Sequence, residues 1–98
     1  MADVYTHGVW VVKPGNEDAF IDAWSRLARS ALAELGASRP TLLRDRDHPN
    51  EFRTFGAWPT VEAVEVFRSS TVFKDAIVEL QPLLESFEPK TLDEIEWV

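Results

Sequence analysis

The chain has no cysteine, which excludes disulfides, thiolate nucleophiles, thiolate-held zinc and iron–sulfur clusters. Its two histidines, His7 and His48, lie far apart in sequence. No metal site is therefore expected at ordinary ligand spacing, and no cofactor is expected either. Basic residues are scarce: 10 Lys and Arg stand against 17 Asp and Glu, a net charge of -7. Such a field repels phosphate backbones and anionic lipid, so neither nucleic acid nor a membrane is an expected partner. No apolar run approaches the roughly 18 residues of a spanning helix. The opening residues, Met1 to Tyr5, also lack the basic start and apolar stretch of a secretory signal. The expected localisation is cytoplasmic.

What is present suits a folded domain: 45% of the 98 residues are hydrophobic and 28% charged. A chain this short supports one core, so residues 1–98 are expected to form a single domain. It hides only about 60% of its unfolded surface. A ligand cavity competes with that core, and packing one face on a second copy is the simplest compensation.

Val4 to Val12 is rich in β-branched and aromatic residues and stops at Lys13-Pro14-Gly15, the pattern of a strand entering a turn. Alternation puts Tyr5, His7, Val9 and Val11 on one face and Val4, Thr6, Gly8, Trp10 and Val12 on the other. Neither face is polar. Asn16 is a candidate N-cap for a helix carrying Phe20, Ala23, Trp24, Leu27, Ala31 and Leu35 at helical spacing and ending near Gly36. Pro40 to Arg46 and Glu51 to Trp58 read as a hairpin around Asp47-His48-Pro49-Asn50. Thr60 caps a helix through Val61, Val64 and Phe67. Ser69-Ser70-Thr71 then offers a break and a second cap before Phe73, Ile77, Leu80, Leu84 and Phe87. Pro82 is expected to kink or divide that stretch, and Glu88 to Val98 to form an edge strand.

The order β-α-β-β-α-β predicts an α+β, ferredoxin-like split-βαβ fold, with a four-stranded antiparallel sheet and helices on one face. The uncovered face then calls for a partner, and the same face of a second copy gives an isologous homodimer.

The stretches HGVWVVKPGNEDAFIDAW, LLRDRDHPNEFRTFGAWPTVEAVEVFRSS and VFKDAIVELQPLLESFEP resemble the antibiotic biosynthesis monooxygenase family across residues 7 to 97. The resemblance implies a dimeric α+β barrel with a ligand pocket between helices and sheet in each subunit. It also implies a monooxygenase that oxidises an aromatic or quinol-like small molecule with dioxygen and no cofactor. The alternative is a non-catalytic domain that binds a small molecule, or only dimerises, on the same scaffold. Haem degradation, the activity of another branch of the family, is disfavoured. Where that branch has an axial histidine this chain has Ile77, and Gly8 replaces its first-strand Asn.

Trp58 matches the family position that lines the pocket. It is either a pocket wall or simply core, and its indole N–H is a candidate donor to a ligand carbonyl or to reduced oxygen. Trp24, Phe67, Phe73 and Ile77 are candidate walls or core stripe, and Thr6 shares the face expected to bear the pocket. His7 is the candidate general base, since its ordinary pKa suits proton abstraction near neutrality. Alternation turns it away from Thr6, however, and a hydrogen-bonded histidine at the dimer face is the competing reading. Arg44, Arg46 and Arg53 serve either in ion pairs with Asp45 and Asp47 or in holding a ligand anion.

Overall fold

The structure is a computed structural model that describes residues 3–97. Strand β1 (Val4–Val12) leads into helix α1 (Glu17–Glu34), and strands β2 (Ser38–Arg44) and β3 (Glu51–Trp58) form the hairpin. Helices α2 (Val61–Ser69) and α3 (Thr71–Leu80) follow, and after a single 3-10 turn the chain ends in β4 (Leu84–Asp93). The sheet runs β2-β3-β1-β4, antiparallel at every pair, so β1 lies at its centre beside β3 and β4. This is the ferredoxin-like α+β arrangement.

The pleat of β1 decides which face the helices cover. Val4, Gly8, Trp10 and Val12 are buried, whereas Tyr5, His7, Val9 and Val11 on the other face stay half-exposed. Helix α1 buries Phe20, Ala23, Leu27 and Ala31, one side of a 3.6-residue repeat. Gly36 ends it: its φ of +82°, cheap only for glycine, folds the Ala37 N–H back to the Ala31 carbonyl at 3.3 Å. At the other end Asn16 occupies the cap position without a side-chain bond. The Glu17 carboxylate instead accepts the Gly15 N–H at 2.8 Å.

Ser70 lies between α2 and α3 in extended conformation and serves both. Its hydroxyl donates to the Phe67 carbonyl (2.6 Å) and accepts the Phe73 N–H (3.1 Å). Two apolar groups fill the space under the helices. One gathers Leu27, Ala31, Trp58, Val64 and Phe67, the other Trp10, Val12, Phe20, Phe52 and Leu80.

Both ends of β2 and of β4 differ from the sequence reading. Strand β2 stops at Arg44 because the Asp45 carboxylate accepts the N–H groups of Asp47 and His48, both at 2.8 Å, and starts the turn early. Near its beginning an extra residue bulges: Arg39 takes φ +49° where the pairing with β3 slips. Strand β4 starts at Leu84, not Glu88, since Pro82 confines the helical path to one 3-10 turn. Leu84 and Phe87 therefore belong to the sheet. β4 also ends early, because Asp93 pairs with Val4, the first residue of β1, and no partner strand extends further. Ile95 and Trp97 lie outside any strand and are exposed; Val98 falls outside the described residues.

Candidate functional site

On the helix side of the sheet, register brings Thr6 opposite Gly56 and Gly8 opposite Thr54, while Thr91 and Pro89 of β4 face the same two β1 residues. Small groups thus occupy the middle of the sheet, and the helical side above them contributes Ala28 and Ala31. The shortage of side-chain volume leaves a cavity of about 70 Å³ between helices and sheet. Trp24 from α1, Trp58 from β3, Phe67 from α2 and Phe73 from α3 border it, with Thr6, Thr54 and Phe87.

Its aromatic walls hold one another. Trp58 and Phe67 meet at 4.7 Å between ring centroids, and Phe67 meets Phe73 edge-on at 5.0 Å. Trp10 stacks on Phe87 at 3.8 Å. Two of the three indoles that border the cavity spend their donors on threonines of the neighbouring strand: Trp10 Nε1–H bonds Thr54 Oγ1 at 2.9 Å and Trp58 Nε1–H bonds Thr6 Oγ1 at 3.0 Å. This corrects the sequence-based role for Trp58. At 2% exposure it offers the cavity a ring face, and its N–H is already committed. Among the polar hydrogens left to a ligand are those of the threonine hydroxyls, and Thr6 has only a long contact of 3.5 Å to the Gly56 carbonyl for its own.

Gly8 shows how tightly this is built. A β-carbon there would stand 2.6 Å from Trp10 Nε1 and 2.9 Å from Thr54 Oγ1. The Trp10–Thr54 bond occupies the room a side chain needs.

Thr6, Trp24, Trp58, Phe67 and Phe73 thus come together. Ile77 does not: one turn beyond Phe73 on α3, it packs with the Trp10–Phe20–Phe52 group and borders a separate groove beside Gln81 and Leu84. His7 contributes to the cavity floor, but the pleat leaves only its main chain there. Its ring stacks on Phe55 at 4.7 Å on the opposite face. Burial, with the charges of Arg53 and Lys90, lowers its pKa against the opposing pull of Glu88. The His7 ring thus lies on the wrong side of the sheet for a ligand under the helices.

The hairpin arginines also stay away. Arg44 lies over the Phe52 ring at 4.9 Å, and Arg53 pairs with Glu51 at 3.3 Å. Arg68, a residue the sequence reading passed over, does border the cavity. In the turn, Asp45, His48 and Glu51 approach closely enough to hold a cation, contrary to expectation. The His48 ring nitrogen, 3.2 Å from Asp45 Oδ1, and the turn's N–H groups already use that carboxylate, however. Among the described residues no helix is long and apolar enough to cross a membrane.

Sheet order, helix placement and a cavity on the helix side define an α+β domain of the ferredoxin-like class. Within that class, the antibiotic biosynthesis monooxygenase model matches residues 4–79, and the chain belongs to that family. Solved structures share the fold at low identity. SnoaB, a cofactor-independent oxygenase from Streptomyces nogalater, is 21% identical over 100% of this chain and 98% of its own, with a TM-score of 0.88. A putative antibiotic biosynthesis monooxygenase from Caulobacter crescentus is 18% identical over 97% and 92%, also at 0.88. A protein of Shewanella oneidensis is 21% identical over 95% and 91%, at 0.85. No curated protein matches the chain.

Proposed function

We propose that the protein is a cofactor-independent monooxygenase that oxidises an aromatic or quinol-like small molecule with dioxygen, acting as a single domain within a homodimer. The observation that carries this reading is the cavity walled by Trp24, Trp58, Phe67 and Phe73 in a chain of this family. Dioxygen reacts poorly with closed-shell molecules, so a metal or flavin ordinarily supplies electrons. An ionised phenol, quinol or anthrone supplies its own: the carbanion adds to oxygen, and loss of water from the hydroperoxide leaves a carbonyl. One oxygen atom enters the product and the other departs as water. The protein's part is to orient a flat ring between aromatic faces, exclude bulk water and offer threonine hydroxyls to the developing oxygen charge.

Size sets a condition. A cavity of about 150 Å³ is known to admit benzene, roughly twice the 70 Å³ present here. A ring enters only if the half-buried rim residues Trp24, Phe73 and Phe87 rotate outward, while fully packed Trp58 stays in place.

Support for the dimer comes from the uncovered sheet face, where half-exposed Val9, Val11 and Phe55 stand beside Leu43, 50% exposed, and Leu92, 40% exposed. Burying such a face on its symmetry mate recovers apolar area that a domain of this size lacks.

The test is oxygen uptake and product analysis with a panel of hydroquinones, naphthols and anthrones, run aerobically and anaerobically. Oxygen-dependent turnover is expected with at least one class. Binding without turnover across the panel would replace the enzyme by a small-molecule-binding domain.

A further inference from the structure

Among the described residues that border the cavity, Arg68 is the only one with a permanent charge. It stands in the last turn of α2, where the helix dipole favours a cation, but its guanidinium reaches across to β4. One Nη donates to Thr91 Oγ1 at 2.6 Å and the other to the Lys90 carbonyl at 2.9 Å. Both acceptors are neutral. The ion pairs among the described residues join other partners: Arg26 with Glu79, Arg39 with Asp3, His48 with Asp45, Arg53 with Glu51 and Lys90 with Glu88. Arg68 is half-buried, and that burial lowers its pKa, so holding the charge there costs free energy that no carboxylate among these residues offsets. Two of a guanidinium's five N–H groups satisfy the bonds to β4, leaving donors for a further acceptor.

Its position is defined by the sheet. Thr91 faces Thr6 across β1 and β4, and Thr6 carries the Trp58 indole bond. The guanidinium is therefore fixed at the β4 end of the cavity, one strand away from the Thr6–Trp58 pair, with the Phe67 ring one residue earlier on the same helix. An aromatic slot with a pinned cation at one end and threonine hydroxyls on its floor matches a flat ring bearing an anionic oxygen.

We propose that Arg68 anchors the ligand, and that the cavity selects planar aromatic compounds carrying a phenolate or carboxylate at the ring edge. This rests on the reading of the cavity as a ligand site and adds the charge of the ligand to it. A cation beside a phenol lowers its pKa by about 1–3 units, from about 10 to about 7–9, so Arg68 raises the ionised fraction of a phenol ligand without itself accepting the proton. A carboxylate ligand arrives already ionised.

Calorimetric titration with 2-naphthoate and its neutral isostere 2-naphthamide tests the assignment. Charge-assisted hydrogen bonds of this kind correspond to about 10- to 100-fold in affinity. The unmodified protein is expected to bind naphthoate tighter than naphthamide by that factor, and the preference is expected to shrink as salt rises. Arg68→Gln is expected to erase the preference by weakening naphthoate far more than naphthamide, and Arg68→Lys to retain part of it. If Arg68→Gln fails to fold, because the residue also ties α2 to β4, the comparison in the unmodified protein and in Arg68→Lys still decides. Equal affinity for the two ligands in the unmodified protein, or a naphthoate preference that survives Arg68→Gln, overturns the role of Arg68 and leaves the cavity reading intact. Absence of binding by either ligand to the unmodified protein overturns both.

Discussion

Replacing Gly8 by alanine isolates the packing that shapes the cavity. The backbone at Gly8 is not in the left-handed region, so alanine meets no conformational penalty and, by restricting the unfolded chain, contributes about 0.4–1 kcal/mol of stability. Against this stand contacts of 2.6 Å to Trp10 Nε1, 2.9 Å to Thr54 Oγ1 and 3.1 Å to the Phe87 ring. The first two are closer than a β-carbon tolerates, and both atoms belong to one buried hydrogen bond. Overpacking of this kind costs about 1–3 kcal/mol, and prising the bond apart adds about 1 kcal/mol. The net expectation is a loss of about 1–3 kcal/mol, or a Tm lower by roughly 5–20 °C for a domain of this length. Thermal unfolding followed by far-UV circular dichroism at one fixed protein concentration measures it, since any oligomer makes Tm depend on concentration. Gly56→Ala is the internal control: its nearest contacts are 3.1 and 3.5 Å, to Thr6 Oγ1 and Trp58 Nε1, so a smaller loss is expected. A Gly8→Ala protein as stable as the parent would refute the claim that the Trp10–Thr54 pair fills this space.

Trp58→Phe keeps a ring but removes the donor to Thr6 and part of the packing against Phe67. It is expected to cost about 1–2 kcal/mol in chemical denaturation and to weaken binding of aromatic ligands, whereas unchanged affinity would remove Trp58 from the site. His7 is held below its ordinary pKa of 6.5 in the folded state, chiefly by burial. Its contribution is therefore complete above pH 6.5. It declines as acid protonates the unfolded chain first, and levels off below the folded-state value. His7→Gln is expected to flatten this limb of a stability-versus-pH curve; an identical curve would count against it. Phe55→Glu, which places a charge in the middle of the uncovered sheet face, is expected to convert a sedimenting dimer to monomer. A parent protein that is itself monomeric at micromolar concentration would dispose of the dimer.

Much of the fold is legible in short-range pattern. The β-branched run of β1, the repeat along α1 with Gly36 behind it and the serine between α2 and α3 each announce themselves within about ten residues. What misleads is a local signal with two meanings: Leu84 and Phe87 continue the spacing of Leu80, and only Pro82 hints that the path has left the helix. The cavity is harder to read because it consists of missing volume, although Gly8 and Gly56 inside strands signal close approach. Hardest are the long-range pairings. Trp58 with Thr6 and Trp10 with Thr54 span 52 and 44 residues, and Arg68 becomes a cavity residue only once β4 returns to meet it 23 residues later.

The Ser70 hydroxyl joins the carbonyl of Phe67 to the amide of Phe73, the two phenylalanines whose rings meet above the cavity. One extended residue separates the helices, and a single side-chain oxygen bonds the end of one and the start of the other, so the angle at which the two rings meet is set by a hydroxyl that itself stays outside the aromatic wall.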